Sequence, residues 1–268
     1  MTSMDGSAAA KTRALLTPRW IITTLLVIAA VAVMARLGFW QLERLEERRA
    51  FNARVLAQIN TPELQLNEAL QAADVPADQL LQMEYRPVVV SGTYDPTHEI
   101  LLRNQVRDNL PGYHLITPLV IENTDAVVMV DRGFIPMQDD DPASRAKYAR
   151  PGLVTVRGRI SLPHVPRIFG VPDPTLAPGQ ERLDTWNAVN LERIQAQLPY
   201  STLPVIIQAG PDEGDLVESN FVEPDITEGS HLGYAAQWFT FAGLLAVGYP
   251  FFVRNQINAA RGKLPGPR

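Results

Sequence analysis

Histidine opens the last apolar stretch of this chain, and its neighbours give it a possible chemistry. The segment HLGYAAQWFTFA begins at His231, with Tyr234, Ala235 and Trp238 three, four and seven residues further on. On a helix, His231, Tyr234 or Ala235, and Trp238 share one face. Imidazole is a ligand for haem iron, and aromatic rings pack against a porphyrin plane. A plainer reading stands beside this one: His, Tyr and Trp are amphipathic and collect at membrane interfaces as anchors. The residue types leave both open.

Other polar residues carry less. His98, His114 and His164 are scattered without a ligand spacing and read as surface or satisfied core histidines. Asp139-Asp140-Asp141 has no Gly-centred calcium loop and is followed by Pro142, so it reads as a solvated loop capping a helix over 142–148. Arg132 in DRGF reads as the partner of an acid inside a sheet, since guanidinium is not readily deprotonated. Nucleophile-elbow, zinc-helix, phosphate-loop and dinucleotide-turn signatures are all missing. With no Cys in the chain, thiolate metal sites and thiol redox chemistry are excluded. No catalytic residue and no metal ligand is assigned. A membrane enzyme built on Arg132 with nearby Asp or His groups lacks a visible nucleophile–base pair.

The elements that must position His231 are membrane spans. Residues 231–253 contain no Asp, Glu, Lys or Arg, and as a helix they would reach about 34 Å, enough for a hydrocarbon core of about 30 Å. Residues 20–37 form a second apolar run, broken only by two threonines and by Arg36 at its end, where it can snorkel. A cleaved signal peptide, with Lys11, Arg13 and Arg19 as its basic region and Ala30-Val31-Ala32 as its cleavage site, is the alternative. A retained anchor fits better, because the run is long and helix formers continue through Glu46. Glu218, Glu223, Asp225 and Glu228 precede the second span, whereas Arg254, Arg261, Lys263 and Arg268 follow it. The positive-inside rule then puts residues 1–19 and 254–268 in the cytoplasm and 38–230 outside. The basic residues after the first span pull mildly the other way, but long loops cross largely regardless of charge.

The external region is expected to be one domain with an antiparallel sheet, closed or nearly closed into a barrel. Period-two, β-branched runs place strands at 86–94, 99–104, 113–121, 126–134, 153–160, 182–189 and 204–208. Turn residues separate them, including a Gly- and Pro-rich stretch at 170–179. Short helices are expected at 62–70, capped by Thr61, and at 190–198. Small-residue stripes at Ala29, Ala32 and Ala35 and at Ala242 and Ala246 offer the spans a packing edge. The fold class is thus an α+β membrane protein, with two terminal transmembrane helices flanking an external, mainly antiparallel β domain. A net charge of −5 and the lack of a basic tract argue against nucleic acid.

Four blocks, in order, resemble the surfeit-locus cytochrome oxidase assembly family: LGFWQLERLEERRAFN at 37–52, YRPVVVSGTYDPTHEILLRNQ at 85–105, GYHLITPLVIENTDAVVMVDRGFIP at 112–136, and HLGYAAQWFTFA at 231–242. The resemblance implies a non-enzymatic assembly factor of the inner or cell membrane, with cytochrome c oxidase subunits or assembly intermediates as partners. It further implies that haem a is bound and passed on, with His231 as the iron ligand; Tyr234 and Trp238 are candidate lining through their spacing beside it. A scaffold that binds oxidase subunits without any cofactor is the other reading. The sequence departs from the family where Asp131 replaces a common Asn and Phe134 a common Trp.

Overall fold

The long N-terminal helix, Pro18–Ile59, runs 42 residues without a break. Its apolar half is continued by Leu, Glu and Arg, which lose little rotamer freedom in a helix. Asn60 and Thr61 end it ahead of Pro62, whose missing N–H and preference for an extended predecessor stop the run. The C-terminal helix is His231–Arg261. Both are long and apolar enough to cross a membrane. The computed structural model describes residues 17–163, 175–176, 182–221 and 223–261. His164, Lys11, Arg13, Lys263, Arg268 and most of the expected turn at 170–179 lie outside these.

The chain divides into two units, residues 54–225 and the two flanking segments. The flanking unit is an antiparallel helix pair. On the first helix, half-buried or buried positions include Trp20, Thr24, Val27, Val31, Met34, Gly38, Gln41, Leu45, Arg48 and Asn52. On the second they include His231, Ala235, Trp238, Ala242, Leu245 and Tyr249. These positions alternate steps of four and three, the spacing of a left-handed seam, and half-buried neighbours such as Ala30, Ala35 and Phe239 flank it. This corrects one expectation in part: Ala29, Ala32 and Ala246 are exposed, while of the small stripes Ala242 is buried and Ala35 half-buried. The seam follows a repeat of 3.5 residues, which the alanine spacing does not.

The central unit is built on eight strands: β1 Leu64–Gln65, β2 Pro87–Tyr94, β3 Ile100–Arg107, β4 Leu110–Ile121, β5 Val127–Pro136, β6 Leu153–Ser161, β7 Thr185–Trp186 and β8 Thr202–Ala209. Their order is β1-β2-β6-β8-β5-β4-β3-β7, and β2 also pairs with β4. That extra pairing closes a ring of β2, β6, β8, β5 and β4, with β3 and β7 carried outside it. Five pairings are antiparallel and three parallel, β5–β8 among the latter. β4 closes the ring because it is long: along one edge residues 110–116 pair with β3 and residues 119–121 with β2, while residues 112–120 pair with β5 along the other. Closure brings backbones very close at Gly92, where a Cβ would lie 2.3 Å from the Val120 carbonyl. Only glycine fits there.

Side chains alternate between a core inside the ring and clusters outside it, one of them formed by Leu101, Tyr113, Leu115, Ile135, Tyr148 and Val217. Val88, Val90, Leu119, Ile121, Val128, Val130, Val156, Val205 and Ile207 fill one cluster. Ile100, Ile116, Met129 and Ile206 belong to a second, covered by Leu183, Trp186, Val189 and Ile194. β5 and β8 are therefore buried on both faces, and each reads as a nearly continuous apolar run.

Three local expectations are corrected. The helix expected at 62–70 is instead β1 followed by a helix at Leu66–Gln71. Thr61 does not cap it; its hydroxyl donates to the Ala57 carbonyl at 2.7 Å, inside the last turn of the preceding helix. The strand expected at 182–189 keeps two residues of ladder, because Leu183 N–H donates to Gln197 Oε1 and the Trp186 indole to the Leu183 carbonyl. Asp139 is buried rather than solvated, accepting from Tyr148 Oη at 2.7 Å and Lys147 Nζ at 2.8 Å. Asp141 does cap the short helix Pro142–Arg145.

Candidate functional site

His231 is the first residue of its helix. Gly229 adopts φ +69° just before it, a left-handed turn that suits glycine. Tyr234 N–H donates to the Ser230 carbonyl at 3.1 Å and starts the helical ladder. The first helix continues the same seam, so Gln41 faces His231, and Gln41 Oε1 lies 2.8 Å from His231 Nδ1. An amide oxygen only accepts, so with the Gln41 amide in this orientation Nδ1 is the donor. In the neutral ring the lone pair is then on Nε2, as metal ligation through that atom requires. His231 stays partly open to its surroundings.

The predicted companions separate. Ala235 is buried in the seam and Trp238 half-buried on the same face, with its ring edge-on to Phe241 at 6.4 Å. Tyr234 lies off the seam and is 50% exposed. The helix pair holds these positions through contacts on both sides of His231. Gly38 packs so closely on Phe239 that a Cβ would sit 2.7 Å from the ring. Beyond His231, Asn52 Nδ2 donates to the Ile226 carbonyl at 2.7 Å and Arg49 makes a two-pronged pair with Glu228. At the opposite end of the pair, Thr24 and Tyr249 share a hydroxyl bond of 2.7 Å beside a groove of about 890 Å³.

Several polar residues of the central unit are held in structural pairs. At Leu115/Ile116 the register against β4 shifts, which makes Arg132 an extra residue on β5, beside Gly133 at φ +127°. Arg132 reaches Asp215 through Nε at 3.0 Å and Nη2 at 2.7 Å, and also donates to the Tyr148 carbonyl. The acid thus comes from the loop after β8, not from inside the sheet. Burial pushes the Tyr94 hydroxyl, whose ring lies under Arg132, up to about 12. His114 Nδ1 lies 3.0 Å from Asp131 Oδ2. His98 and Tyr200 converge on Asp95 Oδ2 at 2.6 and 2.7 Å. Among the described residues no group of three His, Cys, Asp or Glu side chains is placed to hold a metal ion.

The sequence profile of the SURF1 family matches residues 28–243, which include Gln41, His231, Tyr234 and Trp238. The chain belongs to the SURF1 family. A SURF1-like protein of Monosiga brevicollis is 27% identical over 257 residues, covering 90% of this chain and 92% of the relative. One from Rickettsia felis is 26% identical over 249 residues, with 88% and 99% covered. Surfeit locus protein 1 of Mus musculus is 29% identical over 154 residues, 52% of this chain and 47% of that protein. Within this SURF1-family chain, reading the candidate residues one segment at a time missed Gln41. Its signal was a polar side chain at a 3.5-residue seam position amid apolar ones, seven residues after Met34.

Proposed function

We propose that this protein is a membrane-bound assembly factor for cytochrome c oxidase, which holds haem a transiently through His231. The observation that carries the reading is the His231–Gln41 hydrogen bond at 2.8 Å, which leaves Nε2 as a lone-pair donor. The donor set fits the group: one imidazole of fixed tautomer, with the half-buried Trp238 ring on the same helix face and Tyr234 beside it. Bound there, haem a would supply an iron centre for axial ligation. The protein's own part is to orient His231, keep Nε2 unprotonated through Gln41, and offer ring surface. In this reading both termini are cytoplasmic and residues 38–230 face outward, as the acid-before, base-after pattern at the second span supports. The partners are oxidase subunits or their assembly intermediates, and no reaction is catalysed.

The test uses full-length protein purified in detergent from cells that make haem a. Wild type should carry a Soret band. His231→Ala should insert normally yet lose it, and Gln41→Leu should weaken it while keeping the seam packed. A Soret band unchanged in His231→Ala removes the ligand assignment. No Soret band in wild type, with oxidase maturation still dependent on the protein, favours the cofactor-free scaffold.

A further inference from the structure

A cavity of about 500 Å³ lies in the central unit between the turn Pro96–His98, the helix Pro142–Arg145 and the segment leading into β7. Pro96, Pro142, Ala146 and Ala149 make part of its wall apolar. Arg145, only 6% exposed, lines it, and its Nε and Nη1 are buried without a hydrogen-bond partner. The nearest acid, Glu99, approaches Nε to 3.4 Å in an ion pair without hydrogen-bond geometry. Arg182 stands on the same cavity, its Nη atoms donating to the Thr97 and Glu99 carbonyls and its Nε 2.9 Å from Asp184.

A buried guanidinium with N–H donors left without hydrogen-bond partners is costly, and a planar fork of N–H donors matches the oxygens of carboxylate or phosphate. We propose that this cavity binds an oxyanion, a carboxylate or a phosphate, received by Arg145 with Arg182 supplying further positive charge. The cavity falls within the size range of small-molecule sites, so the anion would be one end of a larger ligand. Two acids share the site. Asp184 is half exposed and its charge is screened by water. Glu99 is buried, and burial raises its carboxyl above the ordinary range against the opposing pull of Arg145, Arg132 and Arg182. An arriving anion therefore competes with Glu99 for Arg145, and neutralising Glu99 should favour the ligand.

The site is separate from His231, so its test is independent of the haem reading. Detergent-purified full-length protein is titrated with inorganic phosphate and, in a separate arm, with acetate, by calorimetry. We expect saturable binding of at least one of them, one per chain, and the preferred anion tells which chemistry the site takes. Arg145→Met should weaken it by about tenfold or more. Glu99→Gln should tighten it, an effect of opposite sign to structural damage. Arg157→Gln, at an exposed arginine, should leave it unchanged. Should Arg145→Met not fold, Ala149→Leu narrows the mouth without removing charge and should also weaken binding. The proposal is overturned if neither anion binds saturably at millimolar concentration, or if affinity is indifferent to both the Glu99 change and the Arg145 or Ala149 change.

Discussion

Replacing Asp215 by Ala strips the barrel's most enclosed cation of its partner. The Arg132 side chain is 2% exposed and that of Asp215 10%. Two charge-assisted bonds disappear, leaving the guanidinium with the Tyr148 carbonyl at 2.6 Å and the Tyr94 ring at 4.8 Å. Asp215 Oδ1 also accepts from Val217 N–H at 3.0 Å, so a loop tether goes with it. Removing one member of a buried pair costs about 3–5 kcal/mol. A cavity of about 400 Å³ borders the pair and lets water reach the orphaned group, which sets the expectation at the lower end, about 3 kcal/mol. With a urea slope of about 2 kcal/mol per molar, the midpoint should fall by about 1.5 M. The reporter is Trp186, 1% exposed in the outer core, in a chain whose Trp20, Trp40 and Trp238 are changed to Phe. The double variant Arg132→Met with Asp215→Leu removes both charges and should recover most of the loss, since apolar replacement of a buried pair is often neutral. A single-variant midpoint shift under about 0.5 M would show that the pair is effectively solvated. A double variant no more stable than Asp215→Ala would refute the coupling.

Gly38→Leu should destabilise the helix pair by about 1–3 kcal/mol through overpacking on Phe239, read as a lower thermal midpoint of the full chain in detergent. Asp141→Ala loses the cap that accepts from Ala143 and Ser144 N–H and should cost about 0.5–2 kcal/mol in the same urea assay used for Asp215. Burial alone would raise the Asp95 carboxyl, but hydrogen bonds from Tyr200 and His98 hold it below its ordinary value. A depressed carboxyl gives stability that is present above the unfolded value near pH 4 and lost as pH falls through the folded one. Tyr200→Phe should therefore move the Asp95 titration upward and shrink the acid-side loss of stability. Carboxyl carbon NMR checks the first effect and pH-dependent unfolding the second.

What could be read from sequence was what local periodicity encodes. Residues 20–37 and 231–253 are apolar along nearly all their length and needed no partner to be recognised as helices long and apolar enough to cross a membrane. Six strand expectations hold as β2, β3, β4, β5, β6 and β8 because period two and turn residues act within a few positions. The misses depend on contacts distant in sequence. β1 is two residues that acquire strand geometry only by lying parallel to Val88 and Val89. The β2–β4 closure and the parallel β5–β8 pair set the topology, and neither leaves a repeat in the chain. Gly92 did leave one trace: a lone glycine inside a strand pattern marks a close backbone approach.

The candidate site divides along the same line. Apolar surroundings and neighbouring aromatics were enough to single out His231, because an ionisable ring at the mouth of a span carries a desolvation cost. Its usable nitrogen was not legible there. A histidine offers either Nδ1 or Nε2, and the choice is made by whatever the other nitrogen bonds. Here that group is Gln41, 190 residues earlier, brought opposite only because both helices repeat their buried positions every 3.5 residues. The same repeat turns Tyr234 outward while keeping Trp238 on the seam, so two residues that looked equivalent beside His231 are physically unlike. A seam is thus more informative than a motif for such a site: the motif names the donor, while the seam decides its tautomer and its neighbours.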